Sequence, residues 1–106
     1  MAVKAQRLHD LIKRRDRCFR NAVMADSAMS VMLSLFLAEC KGVALTQGTL
    51  GLINLLDDGE EGGIIESLVH AGLAIATGEI PERRAVGLTP LGSARMRSFI
   101  SDYPDI

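Results

Sequence analysis

Aromatic side chains are nearly missing from this chain: among 106 residues there are three Phe, one Tyr and no Trp. The core must therefore be built from Ala, Leu, Ile, Val and Met, which suits packed helices better than a β-sandwich. Cysteine is equally scarce. Cys18 and Cys40 form no CxxC pair and have no histidine at ligand spacing, so a disulfide framework and a structural zinc site are both excluded. The two thiols read as small reduced core residues. No long apolar run occurs. The longest, Val31 to Ala38, is broken by Ser34 and is far too short to span a bilayer. The first twenty residues carry charges throughout and have no signal-peptide core, so a soluble, cytoplasmic protein without membrane contact is expected. His9 and His70 stand apart in sequence, Glu60 and Glu61 are neighbours rather than a facing pair, and the glycines at 59, 62 and 63 are followed by no Lys-Ser/Thr. Nothing assembles a catalytic triad or a phosphate loop, so neither an enzyme nor a cofactor is expected.

What the chain does have is a strong layout of charge. The formal net charge is only −1. Yet residues 1–20 hold seven Lys and Arg against two Asp, and residues 57–66 hold five acids and no base. A length of 106 residues fits one domain with a real core. From Val3 to about Arg20, Leu8, Leu11, Ile12 and Phe19 share one face of a basic helix, and Asn21 to Ala25 is an ambiguous joint. Asp26 or Ser27 is a suitable N-cap for a helix over Ala28 to Cys40, which is apolar on nearly every side and is read as the central core helix. Lys41-Gly42 ends it. After a short extended segment, Val43-Ala44-Leu45, Thr46 caps a helix to about Leu56 that turns Leu50, Ile53, Leu55 and Leu56 inward. Gly48 and Gly51 either weaken it or mark close packing. Asp57-Asp58-Gly59 turns into a further helix with Ile64, Ile65, Leu68 and Val69 inward, stopped by Gly72. Leu73 to Thr77 and Arg84 to Leu88 read as two short strands around a Gly/Pro loop. Thr89 and Pro90 are an N-cap and first helical residue for a last helix carrying Leu91, Ala94, Met96, Phe99 and Ile100, ending near Asp102.

The order helix, short strand, helix, turn, helix, two-strand ribbon, helix is that of a winged helix-turn-helix. Leu68-Val69-His70-Ala71-Gly72-Leu73 resembles the L-x-x-x-G-L that closes the recognition helix of MarR-like regulators. Pro81-Glu82-Arg83-Arg84 followed by Leu88-Thr89-Pro90-Leu91-Gly92 resembles that family's wing and its L-T-x-x-G. The likeness is clear over Leu68 to Arg95, extends back to Ser27, and is weak in the first helix. It implies a mainly α fold with a small two- or three-stranded β-wing and flanking N- and C-terminal helices. The whole of 1–106 forms one winged-helix domain: a basic N-terminal helix (1–20), a winged-helix core (27–92) and a C-terminal helix (90–102). It also implies a DNA-binding transcriptional regulator, homodimeric through its N- and C-terminal helices, whose wing arginine is Arg83 or Arg84. The recognition positions are Gly59, Glu60, Glu61, Gly62, Gly63 and Ser67.

At those positions the chain departs from the family, whose members place Ser, Thr, Arg or Gln at most of them. Base edges are read mainly by Arg, Lys, Asn and Gln, and phosphates require cations or N–H groups. A carboxylate about 7 Å from a phosphate is repelled by about 0.6 kcal/mol in water, so several facing the backbone oppose binding by about 1–3 kcal/mol. The same acids complement the dipole of a first helical turn, whatever their functional effect. DNA contact is therefore expected through Arg83, Arg84 and the basic first helix rather than through Glu60, Glu61, Gly62, Gly63 and Ser67. Lys13, Arg14, Arg15 and Arg17 wrap around that helix, and three uses stay open: a solvated face, a contact with an acidic helix, or phosphate contact. The alternative reading is a winged-helix interaction or dimerisation module that has lost DNA recognition and takes a basic protein partner.

Overall fold

The structure, a computed structural model, describes residues 1–18, 24–57 and 59–102, with side chains at 1–10, 27–57 and 59–102. Among these are five α-helices: α1 (Ala2–Cys18), α2 (Met24–Lys41), α3 (Gln47–Ile53), α4 (Glu60–His70) and α5 (Pro90–Asp102). Three strands, β1 (Leu45–Thr46), β2 (Ala74–Thr77) and β3 (Ala85–Leu88), form one antiparallel sheet in the order β1-β3-β2. Leu45 pairs with Val86 and Thr46 with Ala85 on one side of β3, while Ala74 to Thr77 run against Leu88 to Ala85 on the other. The expected mainly α fold with a small sheet is what forms, and the sheet has three strands. No helix among the described residues is long and apolar enough to cross a membrane.

The central helix is α2. Val31, Leu33, Leu35 and Phe36 are each at most 2% exposed, and α1, α4, α5 and the sheet pack around them. It begins at Met24, a turn earlier than Asp26 or Ser27 as N-cap would allow, and Ser27 is buried inside it. Ser27, Ser30 and Ser34 fall at i, i+3 and i+7, forming a buried polar stripe on an otherwise apolar helix. Opposite it on α1, Ala5, Leu8 and His9 are buried at i, i+3 and i+4. His9 Nε2 lies 2.8 Å from Ser34 Oγ and 3.0 Å from Asn54 Oδ1. Ser30 Oγ also donates to Asn54 Oδ1, and Asn54 Nδ2 donates to Leu50 O at 2.9 Å and Ser34 Oγ at 3.1 Å. With Oδ1 an acceptor and the Ser34 hydroxyl donating to Ser30 O at 3.1 Å, His9 Nε2 must carry a proton. His9 is thus a tie between α1, α2 and α3. The sequence reading that left it alone is corrected. The side chains of Leu11 and Ile12, and Phe19 as a whole, lie outside the described residues.

Thr46 is the N-cap of α3, its Oγ1 accepting from Thr49 N at 3.2 Å. The helix stops at Ile53, three residues before the expected Leu56, and Leu55 takes a left-handed conformation with φ 56°. Leu50 is buried as expected, but Leu55 is 55% exposed and points away from the core. Val69 is likewise 41% exposed rather than inward, and Leu91 and Ala94 of α5 are exposed while Met96 and Ile100 are buried. Cys40 is exposed, not a core residue.

The junction carrying the L-T-x-x-G sequence is built by close backbone approach. Gly72 closes α4 at φ 77°, a conformation that costs other residues about 1–2 kcal/mol, and Leu73 N donates to Leu68 O at 2.9 Å. Thr89 then ties the start of α5 to this turn. Its N–H donates to Leu73 O at 3.1 Å, its hydroxyl donates to Gly72 O at 2.6 Å, and its Oγ1 accepts from Gly92 N at 3.0 Å. Gly92 lies so near Leu73 that a Cβ would sit 2.0 Å from the Leu73 carbonyl oxygen.

Candidate nucleic-acid interface

The helix α4 comes next after α3 in the chain and is followed by β2, so α3, α4 and the β2–β3 ribbon make a helix-turn-helix with its wing. Ile64, Ile65 and Leu68 anchor α4 on the core. The residues facing away are Gly63, Glu66, Ser67 and His70, all exposed and spaced i, i+3, i+4 and i+7. The acidic start of the helix is not on that stripe. Glu60 is half-buried, and its Oε2 accepts from Asp57 N at 3.0 Å, while Glu60 N donates back to Asp57 O at 3.0 Å. The carboxylate bond is the half of a capping box that reaches back to a preceding N–H, and the second bond closes a backbone turn ahead of the helix. Glu61 is also half-buried and lies over α3, where a Cβ on Gly51 would come within 3.4 Å of its Cγ and Cδ. Gly62 is set against the Gln47 amide at 3.4 Å from its Cβ position, whereas Gly63 faces open space. Ser67 Oγ donates to Gly63 O at 3.0 Å. The structure thus divides the six recognition positions: Glu60, Glu61 and Gly62 pack against the preceding turn and α3, Gly63 and Ser67 face outward, and Gly59 is the exposed left-handed residue before the helix.

The wing is short and folded inward at its tip. A turn of 3-10 helix, Pro81–Arg83, rests on α3, where a Cβ on Gly48 would meet Glu82 O at 3.0 Å, and Gln47 N donates to Arg84 O at 2.9 Å. Close packing is therefore the role of Gly48 and Gly51. Arg83 ends this turn exposed, whereas Arg84 is half-buried and its Nε is enclosed without a hydrogen-bond partner. At the same junction the buried Gln47 Oε1 also lacks one. Lys13, Arg14, Arg15 and Arg17 fall on α1, but their side chains lie outside the described residues. His70, at the end of α4, is exposed. Among the described residues no group of three or more His, Cys, Asp or Glu is placed to hold a metal ion.

Two solved structures share this winged helix-turn-helix architecture. One is MepR, a transcription regulator of the Staphylococcus aureus multidrug efflux pump MepA, at TM-score 0.63 and 15% identity, covering 91% of this chain and 70% of that one. The other is a MarR family transcriptional regulator from Silicibacter pomeroyi DSS, at TM-score 0.57 and 21% identity, covering 92% of this chain and 66% of that one. The chain thus spans about two thirds of the length of these neighbours, and at such identities the likeness is one of fold. No family model matches the chain, and no curated protein matches it significantly.

Proposed function

We propose that the chain is a DNA-binding transcriptional regulator of MarR-like type, presenting the exposed face of α4 and the arginines of the wing to duplex DNA. The observation that carries this reading is the direction of the acids. Glu60 and Glu61 are engaged with Asp57 and α3, so the outward stripe Gly63-Glu66-Ser67-His70 holds one carboxylate and two small residues. A helix with such a face can approach the floor of a major groove, and the exposed Arg83 of the wing supplies a cation for the backbone. The proposal includes a homodimer through α1 and α5, consistent with Met1, Val3 and Leu91 being about half exposed or more. Lys13, Arg14, Arg15 and Arg17 add charge on α1 for the same ligand.

The test is a fluorescence-anisotropy titration of the protein against labelled genomic fragments from low to physiological salt, with sedimentation to give the oligomeric state. Saturable binding that weakens with salt is expected, reduced by Arg83→Ala. Absence of binding at low salt, or binding that does not respond to Arg83→Ala and Arg84→Ala, refutes the reading.

A further inference from the structure

One side chain of the outward stripe of α4 projects past its neighbours. Gly63 has no side chain and nothing within 4 Å of its Cβ position. The Ser67 hydroxyl is turned back onto the helix, donating to Gly63 O at 3.0 Å. Glu66 shares that face, three residues after Gly63, and is exposed. It makes no hydrogen bond or ion pair among the described residues, although it borders the same cleft as the half-buried Arg84. Glu60 and Glu61 serve the fold at the start of the helix, whereas nothing in the fold uses Glu66. In the middle of α4 the group that a ligand lying along this face would meet first is therefore an unpaired carboxylate.

We infer that Glu66 is the specificity-determining residue of α4 and that it selects a C·G base pair by accepting from the cytosine N4 amino group. The choice of ligand rests on the DNA-binding reading above. An ionised carboxylate only accepts hydrogen bonds. In the major groove guanine offers it two acceptors, N7 and O6, and thymine offers O4 and a methyl group, so neither can bond it. Adenine has a donor at N6, but the neighbouring N7 acceptor repels the second carboxylate oxygen. Cytosine presents its N4 donor with no acceptor beside it on the same base. Repulsion from the phosphates is the same for every sequence, so Glu66 lowers affinity for duplexes at large. The bond to N4 forms at one base pair alone, and every other pair leaves the carboxylate desolvated and unpaired. The exposed glutamate thus gives up affinity and gains discrimination. Gly63 and Ser67 suit this role, because neither extends far enough to hold Glu66 off the groove floor.

The test is selection from a randomised duplex library at low salt, followed by sequencing, for the wild type, Glu66→Gln and Glu66→Ala, with each variant's melting checked. The wild type should enrich a C·G pair at one position of the site. Changing that pair in the enriched duplex should weaken binding, read by anisotropy, about 5- to 150-fold. Glu66→Gln should move the preference at that position to A·T, because an amide donates to N7 and accepts from N6 together. Glu66→Ala should bind duplexes of arbitrary sequence more tightly while showing no preference there. Gain of affinity with loss of preference separates base reading from bulk charge. Duplex binding with no C·G position, or with one that both substitutions leave unchanged, overturns the inference and leaves the DNA-binding reading standing. A lower melting temperature for Glu66→Gln with an unaltered site also overturns it and makes Glu66 a structural neighbour of Arg84. No duplex bound by the wild type at low salt overturns both.

Discussion

Two glycine-to-alanine substitutions, Gly92→Ala and Gly63→Ala, should shift stability in opposite directions, although helix propensity alone favours alanine at both. Gly63 lies in the middle of α4, is exposed, and has nothing within 4 Å of its Cβ position. Alanine there should stabilise by about 0.5–1 kcal/mol. Gly92 occupies the first turn of α5, and its Cβ position is 2.0 Å from Leu73 O and 2.9 Å from Leu73 C. The nearest acceptable carbon–oxygen approach is about 3.3 Å, so α5 and the Leu73 backbone must part by more than 1 Å. Neither is free to yield, because Thr89 N and Thr89 Oγ1 donate across the junction to Leu73 O and Gly72 O, and Gly92 N is tied in turn to Thr89 Oγ1. Overpacking costs about 1–3 kcal/mol, and losing two of these bonds adds about 1 kcal/mol each. The total is about 3–5 kcal/mol, or a fall in Tm of roughly 15 °C for a domain of this size. Urea denaturation and thermal melts by circular dichroism measure both variants on one scale. A Gly92→Ala protein within about 1 kcal/mol of the wild type would mean that α5 and Leu73 are not held together in this way.

Thr89→Val keeps the shape of that junction while removing its hydroxyl; a loss of about 1–2 kcal/mol in urea denaturation is expected. In the buried network, Asn54→Leu should cost more than His9→Leu, about 2–4 against 1–2 kcal/mol, because Asn54 serves His9, Ser30 and Ser34 together. The double variant should lose less than the sum, and strict additivity would show that the groups act independently. Glu66→Lys, a change of two charges about 7 Å from a phosphate, should tighten duplex binding about 8-fold at low ionic strength and about 2-fold at physiological salt. Glu61→Lys should instead disturb the contact with Gly51 and lower the melting temperature, with a smaller gain in binding by anisotropy.

Much of the fold was legible because local chemistry and tertiary packing agreed. Thr46, Gly42, Gly72 and the Thr89-Pro90 pair punctuate the helices where their side chains or backbone freedom allow, and the apolar run in α2 marks a helix enclosed by protein. The errors arose where a long-range partner decided the outcome. Ser27 is a good cap in isolation, yet it belongs to the serine stripe that faces α1. Leu55 has the right hydrophobicity for the core, but the left-handed turn after Asn54 directs it to solvent. His9 had a signal, since it extends the Ala5–Leu8 face and the serines of α2 repeat at helical spacing, but the sequence does not show that these two faces meet. Arg83 and Arg84 are alike in residue type; only the packing of the 3-10 turn on α3 separates an exposed cation from an enclosed one.

The acids of α4 are the instructive case, because their direction follows from the same periodicity that identified the core. Ile64, Ile65 and Leu68 define the inward face, and one turn earlier that face passes through Glu61, at i−3, i−4 and i−7 from them. Glu60, at i−4 from Ile64, lies on its edge. At the start of a helix the inward direction meets the neighbouring turn rather than the apolar centre, so carboxylates there can pack over Gly51 and cap Asp57 without being fully buried. A penalty of about 0.6 kcal/mol per facing carboxylate then applies in full to Glu66 and only weakly to the others. The opposition to DNA on this helix drops from the 1–3 kcal/mol that residue types alone suggest to a value that one arginine contact can offset. Counting charges along a helix overstates their effect on a ligand; counting them by helical phase places one of the three glutamates of α4 where DNA would meet it.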